Sequence, residues 1–113
     1  MKTHRFIWFA SFMMWLFFSS VAYGALKENT LRIMSYNIHG GVGLDGVVDY
    51  ERIANVIKRV DPDVVAIQEV DSVTDRSNKK DVLLEIAKDA LMYHTYAPAI
   101  DYRGGKYGIG ILS

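Results

Sequence analysis

The chain has 113 residues, no cysteine, and 13 basic against 13 acidic side chains, and half of its residues are apolar. That length suits one small domain with its own hydrophobic core. The balanced charge excludes a whole-chain electrostatic attraction to nucleic acid or membranes, and the lack of cysteine excludes a disulfide framework and a lipid-attachment cysteine.

The first 24 residues have the three-part pattern of a signal peptide. A basic start is followed by the almost wholly apolar run 6–18 and by small residues that place a cleavage site after Gly24. The alternative is an uncleaved membrane anchor, because no charge occurs between Arg5 and Lys27 and about 20 residues can span a bilayer. In both cases we expect the domain to be exported, either free in the periplasm or outside the cell, or held at the membrane.

A strand–helix–strand unit follows a short linker at residues 25–30. Leu31–Asn37 is mostly apolar and ends at a polar residue, which is typical of a strand. Asp49 is a suitable N-cap for a helix that Asp61 and Pro62 should end. Its apolar face has the helical spacing i, i+3, i+4, i+7 and consists of Ile53, Val56, Ile57 and Val60.

The run Val64–Ile67 predicts a second strand that ends at Gln68 and Glu69. Because the run is apolar on both faces, we expect this strand to be buried on both sides. Strand, helix and strand in this order predict a right-handed βαβ unit with parallel strands. After a charged loop at residues 71–80, Asp81 is a suitable cap for a second helix. The predicted core face of that helix consists of Leu83, Ile86, Ala87, Ala90 and Leu91.

Two further strands are predicted over Met92–Ala97 and Lys106–Ser113, with a turn at residues 101–105 between them. The fold class is therefore α/β, a βαβ unit followed by a helix and further strands. A sheet with apolar faces needs cover on both sides, and two helices supply little of it. We therefore expect residues 31–113 to be the N-terminal part of a longer domain.

The loop after the first strand is rich in glycine, and Gly41, Gly43 and Gly46 satisfy the pattern G-x-G-x-x-G of dinucleotide-binding turns. Glu69 would supply the acidic residue that such sites have near the second strand. However, Val47 and Val48 separate the glycines from the helix, so a phosphate would lie away from the helix N-terminus. A dinucleotide-binding oxidoreductase is thus a remote alternative to a flexible turn in which glycines supply positive φ angles.

Asn37 and Glu69 are more informative, because each is predicted to lie at the C-terminal end of a parallel strand. Ligands of open α/β sheets bind in the crevice at that edge. An amide oxygen and a carboxylate that meet there suit Mg²⁺, Mn²⁺ or Ca²⁺. The residues alone leave a simpler alternative open, in which Asn37 forms a turn and Glu69 is a solvated strand end.

Three segments together resemble the endonuclease/exonuclease/phosphatase superfamily of metal-dependent phosphoesterases, which includes DNase-I-like nucleases, AP endonucleases, inositol-polyphosphate phosphatases and neutral sphingomyelinases. They read MSYNIH at residues 34–39, PDVVAIQEVD at residues 62–71 and YGIGILS at residues 107–113. The resemblance implies the N-terminal portion of a four-layered α/β sandwich that hydrolyses phosphate esters with a divalent metal, most commonly Mg²⁺.

The resemblance also implies roles for individual residues. Asn37 matches the family asparagine that organises the metal and phosphate pocket, and Glu69 matches the metal-binding carboxylate. The family's catalytic histidine and its Asp-x-Asn segment lie in a second half that this chain does not match. We therefore expect the 113 residues alone to be inactive, and a non-catalytic binding module on the same fold is the alternative.

Further candidates lie near the same edge. His39 either touches a substrate phosphate or is a solvated loop residue. Arg76 either grips a phosphate with both prongs of its guanidinium or is a solvated loop arginine, and Tyr107 either hydrogen-bonds a phosphate or packs as an aromatic. The chain departs from the family in two places: Asp71 has a charge that should repel a phosphate backbone, and Ile109 stands where relatives often have asparagine.

The partner that we expect is a phosphate ester. Without residues 1–24 the chain has 11 basic against 13 acidic side chains, a balance that does not favour nucleic acid. Contact with a membrane is expected only if the N-terminal segment stays uncleaved.

Overall fold

A computed structural model describes residues 30–113 of the protein. The predicted signal segment at residues 1–24 and all but the last residue of the predicted linker lie outside the described residues. Within residues 30–113, the helices are too short or too polar to cross a membrane.

The described chain folds into one mixed sheet with two helices. The strands lie in the order β1-β2-β4-β3. In chain order the elements are β1 Ile33–Asn37, a short 3-10 helix His39–Gly41, α1 Tyr50–Val60, β2 Val64–Ser72, α2 Val82–Ala90, β3 His94–Tyr102 and β4 Gly105–Leu112.

The predicted parallel βαβ pairing is confirmed. Strands β1 and β2 run parallel, with Ile33 opposite Val64 at one end of the register and Asn37 opposite Gln68 at the other. Strand β4 is antiparallel to both β2 and β3. The register ends of β1 and β2 therefore bring polar residues together at one edge of the sheet.

Both helices begin where their capping residues predict. Asp49 accepts a hydrogen bond from Arg52 N at 2.8 Å, and Asp81 accepts one from Leu84 N at 3.2 Å. The predicted core faces are right apart from their last members. Val60 is 42% exposed because it is the last residue of α1, and Leu91 is 88% exposed because it follows α2 in a left-handed conformation that turns it away from the core.

The C-terminal ends of β2 and β3 lie well beyond the predicted ones, and the other strand boundaries differ by at most two residues. Strand β2 does not end at Glu69 but continues to Ser72, because pairing with β4 resumes after an irregularity between Gln68 and Val70. Strand β3 extends to Tyr102, so the turn that joins it to β4 shrinks to Arg103 and Gly104. The predicted charged loop is correspondingly shorter at its N-terminal end.

The core lies between one face of the sheet and the two helices. Its fully buried members are Ala54, Val65, Ile67, Val70, Val82, Leu83, Ile86 and Leu112. The prediction that β2 is buried on both faces is wrong for the described residues, since Ala66 on the opposite face is partly exposed. On that open face Ile33, Ile109 and Ile111 are 67%, 53% and 44% exposed.

Candidate active site

The edge where β1 and β2 stop pairing brings Asn37 and Glu69 into contact. Asn37 Nδ2 donates a hydrogen bond to Glu69 Oε1 at 2.8 Å. Glu69 is the extra residue of a β-bulge in β2, and its backbone is left-handed with φ 63°. Bulges redirect side chains and are frequent beside active sites, and this one lies where Glu69 meets the end of β1.

Both polar atoms of the Asn37 amide are engaged. While Nδ2 faces the carboxylate, Oδ1 accepts a hydrogen bond from His39 N at 2.9 Å. The amide therefore links the 3-10 turn to the bulge and fixes the direction of the Glu69 carboxylate. With Oδ1 engaged, Asn37 is placed to orient Glu69, and its role as a direct metal ligand stays a prediction.

The surroundings favour the ionised form of Glu69. Its pKa is lowered, first by the hydrogen bond from Asn37, then by the nearby Tyr107 hydroxyl and by the electrostatic influence of His39 and Arg76, while partial desolvation opposes these effects. Tyr107 changes in the opposite sense, because burial and the charge of Glu69 raise its pKa. The site thus holds a carboxylate beside a neutral phenol.

His39 begins the 3-10 turn directly after β1, with a left-handed backbone at φ 52°. His39 is exposed, and its backbone N–H donates the hydrogen bond to Asn37 Oδ1. The predicted position at the same edge is therefore correct, and the ring is available to solvent. A catalytic role for the imidazole stays a prediction.

Arg76 forms a two-pronged ion pair with Asp71. Arg76 Nε and Nη2 donate to the two carboxylate oxygens at 2.6 Å and 2.9 Å. The Asp71 side chain is fully buried, and its hydrogen bonds with Arg76 raise the pKa of that arginine. The expectation that Asp71 repels a phosphate is therefore wrong, because its charge is buried and paired with a guanidinium.

Aromatic rings and a glycine surround the same guanidinium. Its central carbon lies 4.8 Å from the centre of the Tyr102 ring and 5.5 Å from that of Tyr107. At Gly40 a side-chain Cβ would stand 2.9 Å from Arg76 Nη2, and the backbone there has φ 65°. A glycine is thus needed where the 3-10 turn passes the arginine.

The sequence did not reveal that Asp71 holds Arg76, or that Tyr102 stacks on it. The sequence does contain one indication of a turn. Asp71, Thr74 and Ser77 follow one another at intervals of three residues, and such short polar side chains often form turns through hydrogen bonds to nearby groups. In the structure Thr74 Oγ1 donates to Asp71 at 2.9 Å and accepts from Ser77 N at 3.2 Å. This turn folds the loop back over Asp71.

The glycine-rich loop has none of the geometry of a dinucleotide site. Helix α1 begins at Tyr50, well after Gly46, and the Asp49 carboxylate occupies its N-terminus. Gly41 has a different function, since a Cβ there would lie 2.3 Å from a ring carbon of Tyr50. Beside this loop an open groove of about 550 Å³ extends from Asn37 and His39 along α1.

The Glu69 carboxylate suits a divalent metal ion that keeps water and substrate oxygens among its ligands. Among residues 30–113 no group of three or more His, Cys, Asp or Glu side chains could hold a metal ion. Zn²⁺ sites need such a group, whereas Mg²⁺ commonly binds one or two carboxylates together with waters and substrate phosphate. Glu69, oriented and ionised, fits the second kind of site.

Comparison with known proteins agrees with this fold. Residues 34–113 match the Endonuclease/Exonuclease/phosphatase family, so the chain belongs to that family. A search of curated proteins gives no match. Among solved structures, an endonuclease/exonuclease/phosphatase from Beutenbergia cavernae DSM 12333 is similar with 27% identity and a TM-score of 0.56. The match covers 74% of this chain but 25% of that one, so the chain spans about a quarter of its length.

Proposed function

We propose that this chain provides the first half of the active site of an exported, metal-dependent phosphoesterase. The observation that carries the proposal is the hydrogen bond of 2.8 Å between Asn37 and Glu69, which presents one ionised carboxylate at the edge of the sheet. Membership of the family supports hydrolysis of phosphate esters in general.

Each residue has a part in this proposal. Glu69 holds the divalent ion, most commonly Mg²⁺, and Asn37 orients that carboxylate. When bound, the ion supplies Lewis-acid stabilisation of charge on the phosphoryl oxygens. The Arg76 guanidinium and the neutral Tyr107 hydroxyl offer donors to the phosphate, and His39, which lines the groove together with Asn37, is a further candidate to touch it.

The substrate that this arrangement suits is a phosphate ester. The basic residues whose electrostatic influence lowers the pKa of Glu69 are His39 and Arg76. The excess of acidic side chains after residue 24 weakens any attraction to duplex nucleic acid.

The open face of the sheet supports the proposal that the chain is part of a longer domain. Ile33, Ile109 and Ile111 form an exposed apolar face opposite the helices. Contiguous apolar surface of this kind usually packs against another layer. A second sheet of the same protein is the layer that this proposal assigns to it.

Export follows from the N-terminal segment. Cleavage after Gly24 would release the domain, and an uncleaved segment would anchor it. N-terminal sequencing of protein from the culture medium, the periplasm and the membrane fraction tests this, and a domain that stays in the cytoplasm with Met1 intact refutes it.

The enzymatic proposal is tested with bis(4-nitrophenyl) phosphate and 4-nitrophenyl phosphate in the presence of Mg²⁺ or of a chelator. We expect a longer gene product that includes this chain to hydrolyse at least one of them only with metal, and the 113 residues alone to be inactive. Equal activity of the two would refute the division of the site. No hydrolysis by the longer protein would favour the binding module.

A further inference from the structure

The structure assigns a positioning role to Asp71: we propose that it aims the guanidinium of Arg76 so that its free edge binds a phosphate oxygen of the substrate. This inference rests on the proposed function, because the phosphate it concerns is the one next to Glu69. It goes further by identifying the group that holds the arginine and by predicting how the two residues depend on each other.

Asp71 is a buried anchor with a fixed geometry. Its side chain has no exposed surface, and it lies directly opposite Tyr107 in the register of β2 with β4. One oxygen accepts from Arg76 Nε at 2.6 Å and from Thr74 Oγ1 at 2.9 Å, and the other accepts from Arg76 Nη2. Three hydrogen bonds from two residues leave the carboxylate no freedom to rotate.

The anchor determines which part of the guanidinium is free. Nε–H and one N–H of Nη2 are used by Asp71, whereas Nη1 makes a long contact of 3.5 Å with the Tyr102 hydroxyl. The edge formed by Nη1 and the second N–H of Nη2 can therefore bind two oxygens of one phosphate. The ion pair with Asp71 does not use these donors, so they can serve a ligand.

The surroundings place the guanidinium beside the 3-10 turn that follows Asn37. Tyr102 and Tyr107 flank the guanidinium, and the missing side chain of Gly40 leaves space beside Nη2. Asp71, which holds Arg76, follows Glu69 by two residues in β2, and Tyr107 lies opposite Asp71 in β4. We therefore place a phosphate that contacts an ion on Glu69 against this free edge.

A double-mutant cycle in the longer gene product tests the inference. The variants are Asp71→Asn, Arg76→Lys and the pair together. KM for bis(4-nitrophenyl) phosphate is measured by turnover, and the Kd of inorganic phosphate by calorimetry with the Mg²⁺-loaded protein. Each single change is expected to weaken phosphate binding and raise KM about 10-fold or more, with a smaller change in kcat.

The double variant is expected to bind phosphate no more weakly than the more impaired of the two single variants, because Asp71 acts through Arg76. Additive effects overturn the inference, and so does a folded Asp71→Asn protein with unchanged phosphate affinity. Asp75→Asn is the matched control, since this exposed loop carboxylate pairs with Lys79 and should leave every value unchanged.

Two further measurements keep the outcome decisive. If Asp71→Asn does not fold, Arg76→Lys decides, because lysine keeps the charge but lacks the fork, and unchanged phosphate affinity then overturns the inference. Glu69→Gln separates the two proposals. Full activity of Glu69→Gln refutes the proposed function, whereas loss of activity together with an additive Asp71–Arg76 cycle refutes only the positioning role.

Discussion

Asn37 and Glu69 are hydrogen-bonded at 2.8 Å although they are 32 positions apart in the sequence. Parallel pairing places the end of β1 beside the bulge of β2, and the Asn37 amide holds the carboxylate in one direction. Because the bulge residue has a left-handed backbone and no ladder partner, this contact fixes a side chain that the strand itself does not.

Glu69→Gln should abolish most metal-dependent hydrolysis while leaving the fold intact. The amide keeps the size and the polarity of the side chain but removes the charge that holds the ion. We expect activity at saturating substrate to fall by about 100-fold or more, since orienting residues alone are worth about 10- to 100-fold. A Mg²⁺ titration checks this, with the exposed helix residue Glu51→Gln as control. Wild-type metal dependence in Glu69→Gln would contradict the assignment.

Asn37→Ala should move the acid limb of the pH–activity profile to higher pH. In the folded chain the pKa of Glu69 lies below its ordinary value, so the ionised form persists above that pKa and is lost as pH falls through it. The hydrogen bond from Asn37 is the largest cause of the lowering, and its removal raises the pKa. Profiles of kcat/KM at fixed free Mg²⁺ measure the shift, and an unmoved limb would show that Glu69 does not control it.

Asn55→Ala is the control for that profile. Asn55 is an exposed residue of α1, so its amide can be removed without touching Glu69. We expect the same acid limb as in the unaltered protein. A shift of equal size in both variants would trace the change to general stability rather than to the contact with Glu69.

The sequence predicts the helices and strands whose residues follow local rules of capping and hydrophobic spacing. The caps at Asp49 and Asp81 and the parallel order of β1 and β2 follow from local rules, so the contact of Asn37 with Glu69 could be expected. The bulge could not, because it depends on β4 pairing with β2 on both sides of Glu69.

The bulge explains why the prediction that Asp71 repels a phosphate is wrong. The sequence pattern ends β2 at Glu69 and so predicts Asp71 in a charged loop, where its charge would repel a phosphate. In the structure β2 continues, and Asp71 is buried against Arg76 and Thr74. Whether an acidic residue is free or paired depends on a neighbour that a strand pattern does not identify.

Gly41→Ala should destabilise the fold more than Gly46→Ala. Both glycines have positive φ, at 90° and 76°, so alanine strains the backbone at either position. At Gly41 the new Cβ also meets the Tyr50 ring at 2.3 Å, whereas at Gly46 nothing lies within 4 Å. We expect a loss of about 1 kcal/mol at Gly46 from backbone strain and a further ~1–3 kcal/mol at Gly41 from overpacking.

Urea unfolding of the two variants measures that difference directly. Because the backbone cost is shared, subtracting one free energy of unfolding from the other isolates the contact with Tyr50. Equal free energies would mean that the Tyr50 ring moves aside without cost. If Gly41→Ala loses more stability than Gly46→Ala, combining Gly41→Ala with Tyr50→Leu should recover part of that loss, because the ring that the new Cβ meets is removed.

Asp49→Ala should lower the free energy of unfolding by about 1 kcal/mol, because it removes the oxygen that caps Arg52 N at the start of α1. Asp49→Asn is the matched control, since asparagine caps as well as aspartate. Thermal unfolding distinguishes them, with an expected fall in Tm of roughly 4–8 °C for alanine alone. Equal losses in both variants would indicate that the charge of Asp49, rather than the cap, is what stabilises the helix.

Ile111→Lys tests whether the open face of the sheet is covered in a longer protein. Ile111 is 44% exposed in the described chain, so a lysine there can keep its charge in water and should change the free energy of unfolding of the 113-residue chain by less than about 0.5 kcal/mol. If a second layer packs on this face, the same substitution in the longer gene product buries an unpaired charge and should cost several kcal/mol. Urea unfolding of both proteins, with the exposed helix residue Lys58→Ile as a control of opposite polarity, gives the comparison. A small cost in both proteins would leave the face open and contradict the proposal that a second sheet of the same protein covers it.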